Sequence, residues 1–543
     1  MSIAKTHFKI DARMDHNMKK LHRFLLNALL LSGVALLMRT VGVIFQVYVA
    51  KRVGAEALGL YGLFSGVYGF AVTFATSGVN LASTRLTAEA LGDERRHQEI
   101  RSGMRRCIVY SLCFSSIATL VLYSLAPVIA VYLLDEVRVI RSLKILSFAL
   151  IPISLSSSMS GYFTACRRVY KNATAQILEQ GVRIGATVLL LSFFCHDKDP
   201  ERACIALVIG STLSEIFSFL VSATFYLLDK KRYNFKKNIP HNSNLTAKLC
   251  AIAMPVAFSS YIRSGLLTLE HALIPQGLRK SGASRAQALE SYGIMNSMVF
   301  PIILFPTALI GSFSGLLVPE MAECRARGNR REISYIAERV FSIALWFSIG
   351  TAAVLCCFAE EFGMVIYNNT HAARYIRLLA PLVPVMYLDT ATDAMLKGLG
   401  QQVGSMIINI ADALISVILV YLLLPKMGIE GYILTVYIAE IFNAVCSIVR
   451  LWNVSHMRPR VIKWVIKPLI CAIGATTFAF MLANFPALER IAPTPRLIIH
   501  VVITVALYLL LLRGIHAIEA EEITWMRRIF SSGKQKKDPP QVL

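Results

Sequence analysis

From Phe24 to Ile515 the chain is a succession of apolar stretches of about 20 residues, each long enough to cross roughly 30 Å of hydrocarbon as a helix. Hydropathy and length give about fourteen spans: 24–50, 57–81, 107–132, 142–166, 172–195, 203–228, 248–275, 290–319, 336–359, 372–398, 401–425, 428–453, 461–484 and 495–515. Backbone amides in lipid must be satisfied within their own segment, and the stretches lack the alternation of a barrel strand. The pattern therefore predicts an all-α integral membrane protein. A hydrophobic share of 55% against 16% charged residues agrees, lying outside the usual range of soluble domains.

The net charge of +23 would suit a polyanionic partner, but its placement argues for topology. With the N-terminus taken as cytosolic, roughly 38 Lys and Arg fall inside and about 15 outside. "KKLHR", "ERRHQEIRSGMRRC", "DKKRYNFKK" and "CRARGNRREI" are the basic inner segments. Both termini are then cytosolic, the basic loops meet anionic headgroups of the plasma membrane, and no nucleic-acid partner is expected. The first span is long and followed by others, as expected of a start-transfer helix that stays. Eleven cysteines are scattered; the adjacent Cys356 and Cys357 give no disulfide framework or zinc spacing.

The chain also repeats itself. "LGLYGLFSGVYGF" from Leu58 matches "LESYGIMNSMVFP" from Leu289, so that Leu58, Tyr61 and Gly62 recur as Leu289, Tyr292 and Gly293. At the same offset Glu89 falls on Glu320, and "GYFTACRRVYKNATAQILEQ" from Gly161 falls on "AMLKGLGQQVGSMIINIADA" from Ala394 at nearly that offset. Each repeat holds an even number of spans, so the halves enter the membrane in the same sense and should be related by a pseudo-twofold along its normal. This predicts a basic cytosolic segment 1–23, an N-lobe 24–228, a cytosolic linker 229–247, a C-lobe 248–453, two unpaired helices in 454–515 and a basic cytosolic tail 516–543. A cleft between two six-helix lobes is the expected place for a substrate. Gly59, Gly62, Gly66 and Gly69 form one small helical face for close packing. Pro255, Pro301 and Pro306 mark places where helices can bend.

"LLMRTVGVIFQVYVAKRVGAEALGLYGLFSGVYGF", "SGVNLASTRLTAEAL", "AMPVAFSSYIRSGLLTLEHALIP" and "FPTALIGSFSGLLVPEMAE" resemble the polysaccharide-transporter branch of the MOP (MATE-like) exporter superfamily, which holds the stage V sporulation protein B and lipid II flippase proteins. The resemblance runs over nearly the whole chain. It implies fourteen transmembrane helices in two lobes plus two extra C-terminal helices, and a flippase that carries undecaprenyl-pyrophosphate-linked sugars to the outer leaflet for wall assembly. The pattern departs at Gln46, where sporulation-type relatives lead one to expect a basic residue.

Charges inside the spans are the candidate site. Arg39, Arg183 and Arg263 each cost a few kcal/mol at mid-membrane and should face a wet cleft or a bundle interior. Their planar donor forks suit the oxygens of a diphosphate. Arg183 is one turn from Glu179 and is equally suited to pairing with it. Gln176, Glu179 and Gln180 make a polar face for sugar or for a neighbouring helix. In the second repeat Asp389 and Asp393 share a helical face with Lys397 a turn on, Asn409 and Asp412 enter the next span, and Glu270 ends span seven. These are hard ligands for a small cation or holders of a proton, or members of a Lys397 network. The resemblance implies that Glu270, Asp389, Asp393 and Asn409 match a sodium site, with sodium as coupling ion and no other cofactor.

No phosphate-binding G-x-x-x-x-G-K-[ST] loop, G-x-S-x-G elbow or H-E-x-x-H helix occurs, so neither nucleotide hydrolysis nor another enzyme activity is expected. Asp197 and Asp199 of "HDKDPER" form a D-x-D pattern in a short outer loop, a poor place for a nucleotide sugar. Transport would draw on an ion gradient or the membrane potential. Two rival readings are a drug/cation antiporter of similar two-lobe plan and a non-transporting scaffold for wall synthesis. Expected partners are the lipid-linked glycan, membrane lipids and wall synthases, around a monomer.

Overall fold

The structure is a computed structural model that describes residues 2–92, 99–194, 199–232, 244–457, 459–483, 492–515 and 517. Most of the expected linker, nearly all of the expected basic tail, and Asp197 lie outside the described residues. Every described element is helical: α1 Ser2–Thr76, α2 Val79–Gly92, α3 Glu99–Val128, α4 Ile140–Ser147, α5 Leu150–Ala165, α6 Val169–Phe194, α7 Pro200–Arg232 and α8 Asn244–Lys280 come first. They are followed by α9 Arg285–Ile294, α10 Phe300–Leu304, α11 Thr307–Ala326, α12 Arg330–Cys357, α13 Ala359–Glu361, α14 Thr370–Leu379, α15 Val383–Gly398, α16 Gln402–Met427, α17 Ile429–Ser455, α18 Lys467–Ala483 and α19 Pro493–Gly514. This is a multi-pass membrane protein.

Among the described residues, nine helices are long and apolar enough to cross a bilayer, ten with the 44° bent pair 137–147 and 150–165 counted as one. The shortfall from about fourteen spans read from hydropathy has identifiable causes. Spans 24–50 and 57–81 share α1, which is divided only by non-helical geometry at Gly54. Span 172–195 is α6, in which Gln176, Glu179, Gln180 and Arg183 lower the mean hydropathy. Span 290–319 is divided among α9, α10 and α11, and span 372–398 between α14 and α15 by a 3₁₀ turn at Ala380–Leu382. Two of the spans that escape the apolar criterion, 172–195 and 372–398, are thus among those carrying candidate site residues.

The prolines act unequally. Pro306 caps α11 after the break that follows Leu304, and Pro301 sits in the first turn of α10, directly after a π-helical turn at Met295–Val299. Pro255 lies inside α8, which runs on through it.

Packing groups residues 40–302 with 403–443 in one unit and residues 303–402 with 444–543 and the first part of α1 in the other. This grouping by contact is distinct from the symmetry-based lobes expected from the repeat. In the first unit α2 packs on α3, α5 and α8, and α6 lies along α7. Val79, Ala82, Leu86, Cys107, Leu249 and Ala253 form one buried cluster there. The glycine face of α1 is used as its spacing predicts. A Cβ at Gly59 would collide with the carbonyl oxygen of Leu289, one at Gly62 would lie 2.9 Å from the Asn296 amide, and one at Gly66 would lie 3.2 Å from His271. Gly293, the repeat counterpart of Gly62, is equally confined, against the carbonyl oxygen of Ala55. The two matched repeat segments therefore pack against each other, glycine to backbone. Gly69 differs, with no atom within 4 Å of where its Cβ would be.

In the second unit α12 is central, packed on α15 and α18, with α19 against α18. The Tyr508 hydroxyl donates to the Trp346 carbonyl at 2.8 Å, and Gly350 gives room for the Tyr508 ring. Tyr387, fully buried, donates to the Ile303 carbonyl at 2.5 Å. A groove of about 610 Å³ opens between α12, α15 and α18, with Ile349, Ala352, Pro384, Ile473, Thr476 and Phe480 in its walls.

Candidate substrate and cation sites

Arg39 lies on α1 and Arg263 on α8, both with accessible side chains. Among the described residues neither guanidinium has a hydrogen bond or an ion pair. One turn after Arg39, Gly42 comes so close to α6 that a Cβ there would lie 3.3 Å from the Gln180 amide nitrogen. Another turn on, Gln46 donates to the carbonyl of Ser297 at 3.1 Å. That carbonyl belongs to the π-helical turn, where the regular ladder is interrupted. Gln46 thus serves a backbone acceptor at the position where a basic residue is expected.

Arg183 is engaged differently. Its Nη2 lies 2.6 Å from Glu179 Oε1 on the same helix and 3.3 Å from Glu215 Oε1 on α7, and its Nε donates to Ser214 Oγ at 3.3 Å. One guanidinium is shared by two carboxyl groups. The Tyr68 hydroxyl is buried beside it without a hydrogen-bond partner among the described residues. Gln176 is exposed on α6. Glu215 is the member that sequence reading did not assign. Only its cost inside a span pointed to it, because a pairing between α6 and α7 has no periodic signature.

The acidic candidates also come in pairs. Asp393 is bound by Lys397 one turn on, at 2.5 Å, with Asp389 a turn before it on α15. Glu270 on α8 lies within coulombic reach of Asp412 on α16. Asn409 turns its amide nitrogen to the Ser405 carbonyl at 2.8 Å. Sequence reading placed Asp412 near this set without assigning it; its position three residues after Asn409, on one helical face, was the available signal. Next to Glu270, His271 Nδ1 meets the Tyr292 hydroxyl at 2.8 Å. No group of three or more His, Cys, Asp or Glu side chains converges as for a metal ion among the described residues. The donors here are hard oxygens, which fit an alkali cation better than a soft metal.

Comparison with known proteins bears on this arrangement. The family model "Polysaccharide biosynthesis protein" matches residues 24–282, and the MatE model matches residues 282–422. Stage V sporulation protein B of Bacillus subtilis (strain 168) is 26% identical over 424 residues, covering 76% of this chain and 80% of that protein. Lipid II flippase MurJ of the same organism is 21% identical over 453 residues, 76% of this chain and 80% of that one. Among solved structures, lipid II flippase MurJ in an inward closed conformation superposes with a TM-score of 0.69 at 14% identity, over 90% of this chain and 99% of that one. The fold is that of the MATE- and MurJ-type membrane transporters. Within them the chain resembles the polysaccharide-transporter branch, as its own residues indicated.

Proposed function

We propose that this protein is a flippase that moves an undecaprenyl-pyrophosphate-linked oligosaccharide, lipid II or a related wall precursor, from the inner to the outer leaflet by alternating access. One contrast carries the reading. Arg39 and Arg263 hold guanidiniums within spans with no partner among the described residues, while Arg183 and Lys397 are tied to carboxylates. An arginine at a helix centre costs about 2.5–3.5 kcal/mol on insertion scales, so an unpaired one is retained for a ligand that pairs with it. A diphosphate is such a ligand, since its oxygens accept paired N–H donors. The apolar groove beside α18 supports a substrate with a long hydrocarbon tail.

In this reading both termini face the cytosol, on the basic side of the plasma membrane. The potential favours outward movement of an anion by about 2.3 kcal/mol per charge per 100 mV. The pairs around Glu270 and Asp389 add a sodium or proton gradient as a second source. The test is rescue of bacterial cells depleted of their lipid II flippase. The wild-type gene should restore growth and Arg39→Ala should not; a rescuing Arg39→Ala would remove the arginine mechanism.

The drug/cation antiporter reading is supported by the two carboxylates on Arg183. It requires that cationic dyes be exported by vesicles carrying the protein and that lipid-linked precursor stay in its original leaflet.

A further inference from the structure

Seven side chains from both repeats meet at one end of the helices. From the first repeat come Glu56, Asp135, Glu136 and Arg138, from the turn in α1 and the connection between α3 and α4; from the second come Gln276, Arg279 and Arg285, flanking the turn between α8 and α9. Glu136 is the centre and is buried, with 2% of its surface accessible. Its carboxylate takes Arg138 Nε at 2.8 Å and Arg138 Nη2 at 3.1 Å, and Arg285 Nε at 3.1 Å. Arg138 also reaches Glu56 at 3.0 Å, Arg279 reaches Asp135 at 2.5 Å, and Gln276 donates to the Leu133 carbonyl at 2.6 Å. Asp135 has a left-handed backbone, φ 49°, which Asp tolerates better than most residues and which turns the chain between the two acids. Three acids face three arginines, so the cluster is balanced only while the two repeats stay together.

Below this cluster the same repeats touch through Gln46 and Ser297 and through Gly59 and Leu289. Toward the opposite end the first repeat meets α8 through hydroxyls, Thr73 with Ser264 at 3.4 Å and Ser77 with Tyr261, and through the buried apolar cluster of Val79, Ala82 and Leu86 with Leu249 and Ala253. Charge-assisted bonds to a buried carboxylate are stronger than such hydroxyl contacts, and a buried carboxylate left unpaired is costly. One end of the seam is held by charge and the other by hydroxyl groups and apolar packing.

We propose that the Glu136 network is an outer latch: it holds the two repeats closed on the non-cytosolic side, biases the resting protein to that state, and must release in each transport cycle. The inference takes its orientation and its meaning for transport from the flippase reading, but its test uses no substrate, so either can fail alone. Hydrogen exchange by mass spectrometry on the full chain in nanodiscs reads it. In Glu136→Gln, loss of one charge-assisted bond shifts a two-state opening by about tenfold. Peptides covering 55–66 and 285–299 should then exchange about tenfold faster, while those covering 73–78 and 253–264 keep the wild-type rate. Faster exchange confined to 129–139 would mean a local brace, and faster exchange at both ends would mean general loosening; either overturns the latch. Should Glu136→Gln fail to accumulate, Arg279→Gln, which breaks only the partly accessible pair with Asp135, is read by the same peptides.

Discussion

Arg183 is held at 2.6 Å by Glu179, and the same guanidinium nitrogen reaches Glu215 on the neighbouring helix at 3.3 Å. Two acids depend on one base, so removing the base leaves both exposed to mutual repulsion inside a span. Arg183→Met should destabilise the protein by about 1–2 kcal/mol, below the limit for a fully buried pair because 38% of the arginine side chain is accessible. Adding Glu215→Gln should recover part of that loss. Thermal unfolding in detergent followed by intrinsic fluorescence measures both.

The glycine seam gives a second expectation. Gly59→Ala and Gly293→Ala each put a methyl group against a backbone carbonyl that cannot withdraw, whereas Gly69→Ala meets nothing within 4 Å. Overpacking of this kind costs about 1–3 kcal/mol. The first two variants should melt several degrees lower and the third should match wild type, in the same unfolding assay.

The two arginines without an ion pair among the described residues should respond to chemistry rather than to stability. Arg39→Ala and Arg263→Ala remove no ion pair seen among the described residues, so both should fold with wild-type melting points. Flipping of a fluorescent lipid-linked precursor in proteoliposomes should fall by about tenfold or more in each. Lysine at either position keeps the charge but not the paired donors, so it should restore only part of the rate. A full-rate Arg39→Ala would count against diphosphate contact.

Asp393 and Lys397 allow the coupling ion to be probed. Lys397→Gln releases Asp393 from its 2.5 Å partner and should raise the affinity of the acidic face for a cation. The sodium concentration for half-maximal flipping should fall by a few-fold. Asp389→Asn should remove the sodium response. Equal rates with sodium and with choline in the wild type would point to protons or voltage instead.

Much of this architecture was legible in the residues. Apolar length gave the membrane class, and the offset between Leu58 and Leu289 identified two helices that the structure packs together. The spacing of Glu179 and Arg183 gave their pair directly, because four residues is one helical turn. The rest depends on which helix lies beside which. Glu215 and Asp412 join the candidate residues only once α7 is set against α6 and α16 near α8. Glu136 was hidden for another reason: it lies in a short polar connection where charges are ordinary, and nothing local distinguishes a buried loop acid from a solvated one. The uneven span count is also physical, since breaks such as the 3₁₀ turn at Ala380–Leu382 divide a continuous apolar stretch into shorter helices.

Gly54 divides α1 with φ 84° and ψ 171°, a conformation open in practice to glycine alone. Every scale of helix propensity and hydropathy would rank alanine there as an improvement, yet any residue with a side chain would be forced out of that geometry. Genetic variation at this codon should therefore be far less tolerated than at the accessible glycines nearby, and a redesign guided by helix content alone would damage the protein at its first turn.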